Sequence, residues 1–97
     1  MAAERFHFSL YVAGDEANSH TAVNNLEAIC SGTLRGACSV EIIDVFANLD
    51  AALEQRIVIT PTLIVRTERP PTKMVIYGNL SDTTTILRRL GQPDGNK

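Results

Sequence analysis

The chain has 97 residues, 44% of them hydrophobic and 21% charged, with a formal net charge of −2. That is one domain's worth of chain, able to bury a core near the small end of the stable range, and its near-average composition excludes a disordered tail. No apolar run approaches the ~18–20 residues of a membrane-spanning helix, and the net charge argues against nucleic acid, whose phosphates need a clustered basic surface.

The opening Met1-Ala2-Ala3-Glu4-Arg5-Phe6-His7 is charged at once, without the continuous apolar stretch of a signal peptide, so the expected compartment is the cytosol. From residue 6 to 12 the chain alternates: Phe6, Phe8, Leu10 and Val12 share one face, and His7, Ser9 and Tyr11 share the other. That period of two predicts a strand. Ala13-Gly14-Asp15-Glu16-Ala17 breaks it as a loop, after which Asn18 or Ser19 is suited to cap a helix. Ala22, Val23, Leu26, Ile29, Cys30 and Leu34 follow at helical spacing, with Gly32 and Gly36 as stop signals and His20 on the surface.

Val40–Val45 is β-branched and bounded by loop residues, which predicts a second strand and completes a parallel βαβ unit. A short amphipathic segment runs from Asp50, read as its cap, through Leu53 to Arg56. Ile57, Val58 and Ile59 lead into Thr60-Pro61, and the proline belongs just before a third strand, Leu63–Arg66. Thr67–Lys73 reads as a loop and Met74–Tyr77 as a fourth strand, a hairpin partner of the third. After the turn Gly78-Asn79-Leu80, Ser81 or Asp82 caps a last helix whose apolar face is Ile86, Leu87 and Leu90. Arg88 and Arg89 suit the negative end of that helix, which Gly91 and Pro93 terminate. One domain over residues 1–91 and a flexible tail over 92–97 are therefore expected.

Cys30 and Cys38 lie eight apart, which fits neither a redox CxxC nor a paired-cysteine zinc site. Cys30 reads as a buried small apolar residue and Cys38 as a free thiol, and neither cysteine is linked to His7 or His20, so no metal is expected. Charge is uneven along the chain: residues 1–54 hold eight acids and two bases, residues 55–97 three acids and seven bases.

The order βαβ, short helix, ββ, helix resembles the thioredoxin-like arrangement, a single α/β domain. That fold's redox chemistry places two cysteines where the first strand meets the first helix, because the helix terminus lowers a thiol pKa. Here Val12–Ser19 contains none. More specifically, Leu10-Tyr11-Val12-Ala13-Gly14, Ile43-Asp44-Val45, Thr60-Pro61-Thr62-Leu63 and Gly78-Asn79-Leu80-Ser81-Asp82 resemble, in order and spacing, the circadian clock KaiB family. The resemblance spans about residues 6–90 and departs from the family in two places. Asn79 stands where that turn usually carries an acid, and the acidic tail of the cyanobacterial proteins is missing.

The resemblance implies a non-enzymatic regulator without cofactors that binds a KaiC-like hexameric ATPase and modulates its phosphorylation cycle. A KaiA-like protein or a sensor histidine kinase would be further partners or competitors. It also implies fold switching between a binding-competent thioredoxin-like state, read here as monomeric, and a tetrameric ground state, βαββααβ, with a rebuilt C-terminal half. Gly78, Asn79, Ser81 and Asp82 are the hinge and cap candidates, and Thr60-Pro61 matches the position that is cis in thioredoxin-like folds. Gly14, Asp15, Glu41, Asp50, Gln55 and Arg56 are the partner-binding candidates. Thr83-Thr84-Thr85-Ile86 is a poor helix start, but the cap, the paired arginines and Gly91 favour the thioredoxin-like state. The alternatives are a thioredoxin-like module for another signalling partner and, less favoured, a thiol-dependent redox protein using Cys30 or Cys38.

Overall fold

The computed structural model describes residues 5–68 and 70–91, so the expected tail over 92–97 lies outside the described residues. The elements run β1 (Phe6–Val12), α1 (Ala17–Ser31), β2 (Cys38–Asp44), α2 (Leu49–Glu54), β3 (Thr62–Glu68), β4 (Pro71–Tyr77) and α3 (Thr83–Arg89). This is the thioredoxin-like order expected from the sequence. The four strands form one mixed sheet in the order β2-β1-β3-β4. β1 pairs parallel with β2, while the β1–β3 and β3–β4 pairs are antiparallel.

The alternation in β1 decides how the layers stack. Phe6, Phe8, Leu10 and Val12 pack with Leu63, Val65 and Ile76 of the neighbouring strands, under Ala22, Leu26 and Ile29 of α1 and Ile86 and Leu87 of α3. Tyr11 faces the other way, into a smaller cluster with Ile43 and Ile64, against which Val45, Ile57 and Val75 pack. Two helices thus cover one face, and the short α2 with its following turn covers part of the other. Among the described residues no helix is long and apolar enough to cross a membrane.

Several expected local features resolve differently. α1 starts at Ala17 behind Glu16, so neither Asn18 nor Ser19 is its cap. Ser19 is buried instead, its hydroxyl accepting from the Ala13 amide (3.1 Å) and lying 3.4 Å from Glu16 Oε1. It braces the loop that enters the helix. Asp50 likewise sits within the first turn of α2, behind Asn48, where its charge suits the positive helix end. β2 begins two residues earlier than expected, and as an edge strand it leaves Val40 and Ile42 exposed on the side facing α1.

The loop expected over 67–73 is mostly strand, because the β3–β4 ladder continues to the Glu68–Pro71 pair. Pro71 is tolerated there because β4 is an edge strand and need not donate from every residue. Thr67 and Thr72 face each other on the neighbouring rung and join through their hydroxyls. Asp82, rather than Ser81, caps α3. The Thr85 side chain (2.8 Å) and amide (3.2 Å) both donate to its carboxylate, holding it below the usual carboxyl pKa. The cap's contribution is therefore present above the free carboxyl value and is lost as pH falls through the folded one.

Cys30 and Cys38 are neither an isolated apolar residue nor a free thiol: they are joined by a disulfide, Cα to Cα 6.2 Å. The register explains the encounter. Cys38 opens β2 opposite Phe6, and the turn from the last turn of α1 brings it back beneath Cys30.

Candidate partner-binding surface

The register brings four loops to one end of the sheet. Val12 is level with Asp44, Tyr11 with Thr62, and Thr62 with Tyr77. The segments after β1, after β2, before β3 and after β4 therefore converge there. Asp44 binds two of them: its Oδ1 accepts from the Gly14 amide (3.3 Å) and the Phe46 amide (2.9 Å). Gly14 has φ +52, and the Phe46 ring lies 3.7 Å from where a β-carbon would sit. The phenyl group thus rests on bare backbone.

This end, and the α2 segment that runs from it across the sheet, carry much exposed hydrophobic surface. Phe46 is 72% exposed, Leu53 73% and Val58 83%, with Leu49 and Ile59 also exposed. Leu49 and Leu53 are four apart on α2 and share its outward face. Large exposed apolar side chains that adjoin one another mark interaction sites, and Phe46 and Leu49 line one groove. The sequence reading missed Phe46, Leu49, Val58 and Ile59. One signal was available: Ile57, Val58 and Ile59 are consecutive apolar residues with neither a helical nor an alternating period to aim all three at one core.

The partner-binding candidates fall into three groups. Gly14, Asp15 and Asp50 lie around this end, Asp15 exposed with His20 3.5 Å away, while Arg56, exposed with a left-handed backbone (φ 58), follows Gln55 just past α2 and lies farther down the sheet. Glu41 is exposed on the open edge strand, close enough to Tyr11 to affect its ionisation. Gln55 is used internally, its Oε1 accepting from Arg66 Nη2 (3.0 Å) and Lys73 Nζ (3.5 Å), which ties α2 to the sheet.

Beneath α2, burial pushes the Tyr11 hydroxyl above its ordinary pKa of 10.0; Arg66 opposes the shift, and Glu41 and Glu54 add to it. Because the folded value is the higher one, the stabilisation is complete below the free phenol value and declines as pH rises through it. Tyr11→Phe is expected to remove a raised phenolate transition followed at 295 nm and to flatten the loss of stability at alkaline pH.

The hinge candidates form a stitched turn. The Gly78 amide donates to the Pro61 carbonyl (3.0 Å), and the Thr60-Pro61 peptide is cis. Asn79 Oδ1 accepts from the Ser81 amide (3.1 Å), its carbonyl from Asn25 Nδ2 of α1 (2.8 Å), and its Nδ2 reaches Asn18 Oδ1 at 3.4 Å. Gly78 (φ 100) and Leu80 (φ 65) adopt the left-handed backbone, and Asn79 between them does not. Burial of Leu80 in the main core accounts for a leucine tolerating that geometry. No atom lies within 4 Å of a β-carbon at Gly78, so Gly78→Ala is expected to cost only backbone strain, about 1–2 kcal/mol, measurable by denaturant titration.

No cysteine stands between β1 and α1, and among the described residues no group of three or more His, Cys, Asp or Glu is placed to hold a metal. The cysteine pair sits at the opposite end of the sheet.

Solved thioredoxins share this architecture. Chloroplastic thioredoxin z superposes with a TM-score of 0.77 at 20% identity, covering 91% of this chain and 77% of that one. Mitochondrial thioredoxin 3 from Saccharomyces cerevisiae gives 0.72 at 14% identity, covering 91% and 78%. At such identities the likeness concerns the fold alone. The sequence relatives are of another kind. The circadian clock protein KaiB3 of Synechocystis sp. is 37% identical over 87 residues, 90% of this chain and 83% of its own length. A circadian clock oscillator protein KaiB of Prochlorococcus marinus is 38% identical over 88 residues, 90% and 80% of the two chains. Residues 9–91 match the KaiB domain, and the chain belongs to the KaiB family.

Proposed function

We propose that this protein is a non-enzymatic clock regulator of the cytosol that binds a KaiC-like hexameric ATPase through the loop end of its sheet. The observation that carries the reading is the exposed apolar set Phe46, Leu49, Leu53, Val58 and Ile59. It begins at the end where a thioredoxin carries its reactive cysteines and where this chain has none between β1 and α1. An exposed apolar surface without a cysteine at that junction supports docking over thiol chemistry. Asp15, Asp50 and Arg56 supply charges at its rim, which suits a partner with a mixed polar border around an apolar centre.

In this reading the thioredoxin-like state is the binding-competent one, monomeric, and the 78–82 turn is where the chain exchanges it for a tetrameric ground state. The bond from the Gly78 amide to the Pro61 carbonyl and those from Asn79 to α1 support the role. The Asn79 bonds join the turn to α1 in the N-terminal half, the Gly78 bond joins it to the segment before β3, and a rebuilt C-terminal half would break them. A pull-down with a KaiC-like hexamer, with and without ATP, tests the proposal. Retention in at least one nucleotide state is expected, and failure in both would overturn it.

A further inference from the structure

The two cysteines are unused by the partner surface. Cys30 lies in the last turn of α1 and Cys38 opens the edge strand β2. They sit at the Phe6–Cys38 rung, six rungs from the Val12–Asp44 rung, roughly 20 Å along the sheet. The turn between them is held by backbone bonds that do not involve sulfur. The Gly36 amide donates to the Cys30 carbonyl (2.7 Å), Leu34 to Ile29 (3.2 Å) and Ala37 to Leu34 (2.9 Å), with Arg35 and Gly36 left-handed. Cys30 Sγ also lies 4.0 Å from the Cys38 carbonyl, an acceptor within reach of a reduced Cys30 thiol after side-chain rotation alone. One backbone therefore suits both the dithiol and the disulfide.

We propose that Cys30 and Cys38 form a reversible two-electron redox site whose oxidant is a low-molecular-weight disulfide of the glutathione type. In the first step, the thiolate of one cysteine attacks a sulfur of the small disulfide. A protein–glutathione mixed disulfide forms and one glutathione leaves as thiolate. In the second step, the other cysteine's thiolate attacks the protein sulfur of that mixed disulfide, closing the Cys30–Cys38 bond and releasing the second glutathione. Two electrons pass from the protein to the small disulfide, and the two thiol protons end on the released thiols.

The site's position sets its character. A thioredoxin-type cysteine stands at a helix N-terminus, where the positive end of the dipole favours thiolate. Cys30 stands at a C-terminus, where the negative end disfavours it. Exchange here is slower than in such a catalyst, and the bond works as a latch, pinning the start of β2 to α1.

The test uses the full chain in glutathione buffers of graded ratio, followed by acid quench, alkylation, mass spectrometry and amide hydrogen exchange. The expected result is a reversible conversion between dithiol and intramolecular disulfide with no accumulated mixed disulfide. Oxidation should slow exchange at Ser39–Ile42 by about tenfold, with Gly14–Glu16 unchanged. Cys30→Ser and Cys38→Ser should each trap the mixed disulfide on the remaining thiol and lose the change at β2. A dithiol that persists in excess oxidised glutathione would overturn the proposal, as would a disulfide that excess reduced glutathione cannot open in the folded protein. Equal exchange rates at the start of β2 in both states would also overturn it.

Discussion

Phe8→Ala is expected to lower the stability of the domain by about 3–5 kcal/mol, the usual cost of emptying a fully packed aromatic site. Phe8 is 2% exposed, on the central strand β1 between Val40 of β2 and Val65 of β3. Its neighbours belong to the cluster that α1 and α3 close from above, and with strands on both sides they have little room to collapse into the space. A domain of this size has only about 5–15 kcal/mol in total, so the variant should melt well over ~10 °C lower. Calorimetry at neutral pH checks this; a shift of only a few degrees would mean that Phe8 does not anchor the core.

The second large effect concerns binding. Leu53→Glu places a charge within the exposed apolar set while leaving the fold alone, because Leu53 is 73% exposed and contributes little to either core. Loss of an apolar anchor and burial of an unpaired carboxylate together should weaken association with a KaiC-like hexamer by at least about 30-fold. Far-ultraviolet dichroism and the melting temperature should stay at their starting values. Glu41→Gln, on the open edge of β2, should weaken the same interaction much less. Comparable losses in both variants would place the contact along the edge strand instead.

Much of the fold was legible where residue chemistry and local period agree. The alternation of Phe6 to Val12 identified β1 and its buried face, and the spacing of Ala22, Leu26 and Ile29 identified the inward stripe of α1. Legibility failed where tertiary context overrides local preference. Thr67 to Lys73 is polar and proline-rich, so it looked like loop, yet pairing with β3 extends the ladder as far as Pro71. Asn79 is the more natural left-handed residue, but Leu80 takes that conformation because its side chain reaches the core. Cys30 and Cys38 carry no motif, and only the return of β2 beside β1 brings them together. At the surface site, charged residues attracted attention and the apolar ones did not, because exposure cannot be read from hydrophobicity alone.

The two sides of the sheet are unequally deep. The α1/α3 side holds most of the buried side chains, while the α2 side holds Tyr11, Ile43 and Ile64 with partly covered neighbours. The shallow layer is the one that can melt by itself, a foldon of low local stability. Limited proteolysis should therefore cut first near Arg56, before any site in α1. The apolar surface proposed for docking is carried on that layer, so a partner seating there must also order it. Association would then bury more than the visible contact area and show a larger negative heat-capacity change than rigid docking predicts. On the proposed docking, the shallowness of one layer couples recognition to local folding.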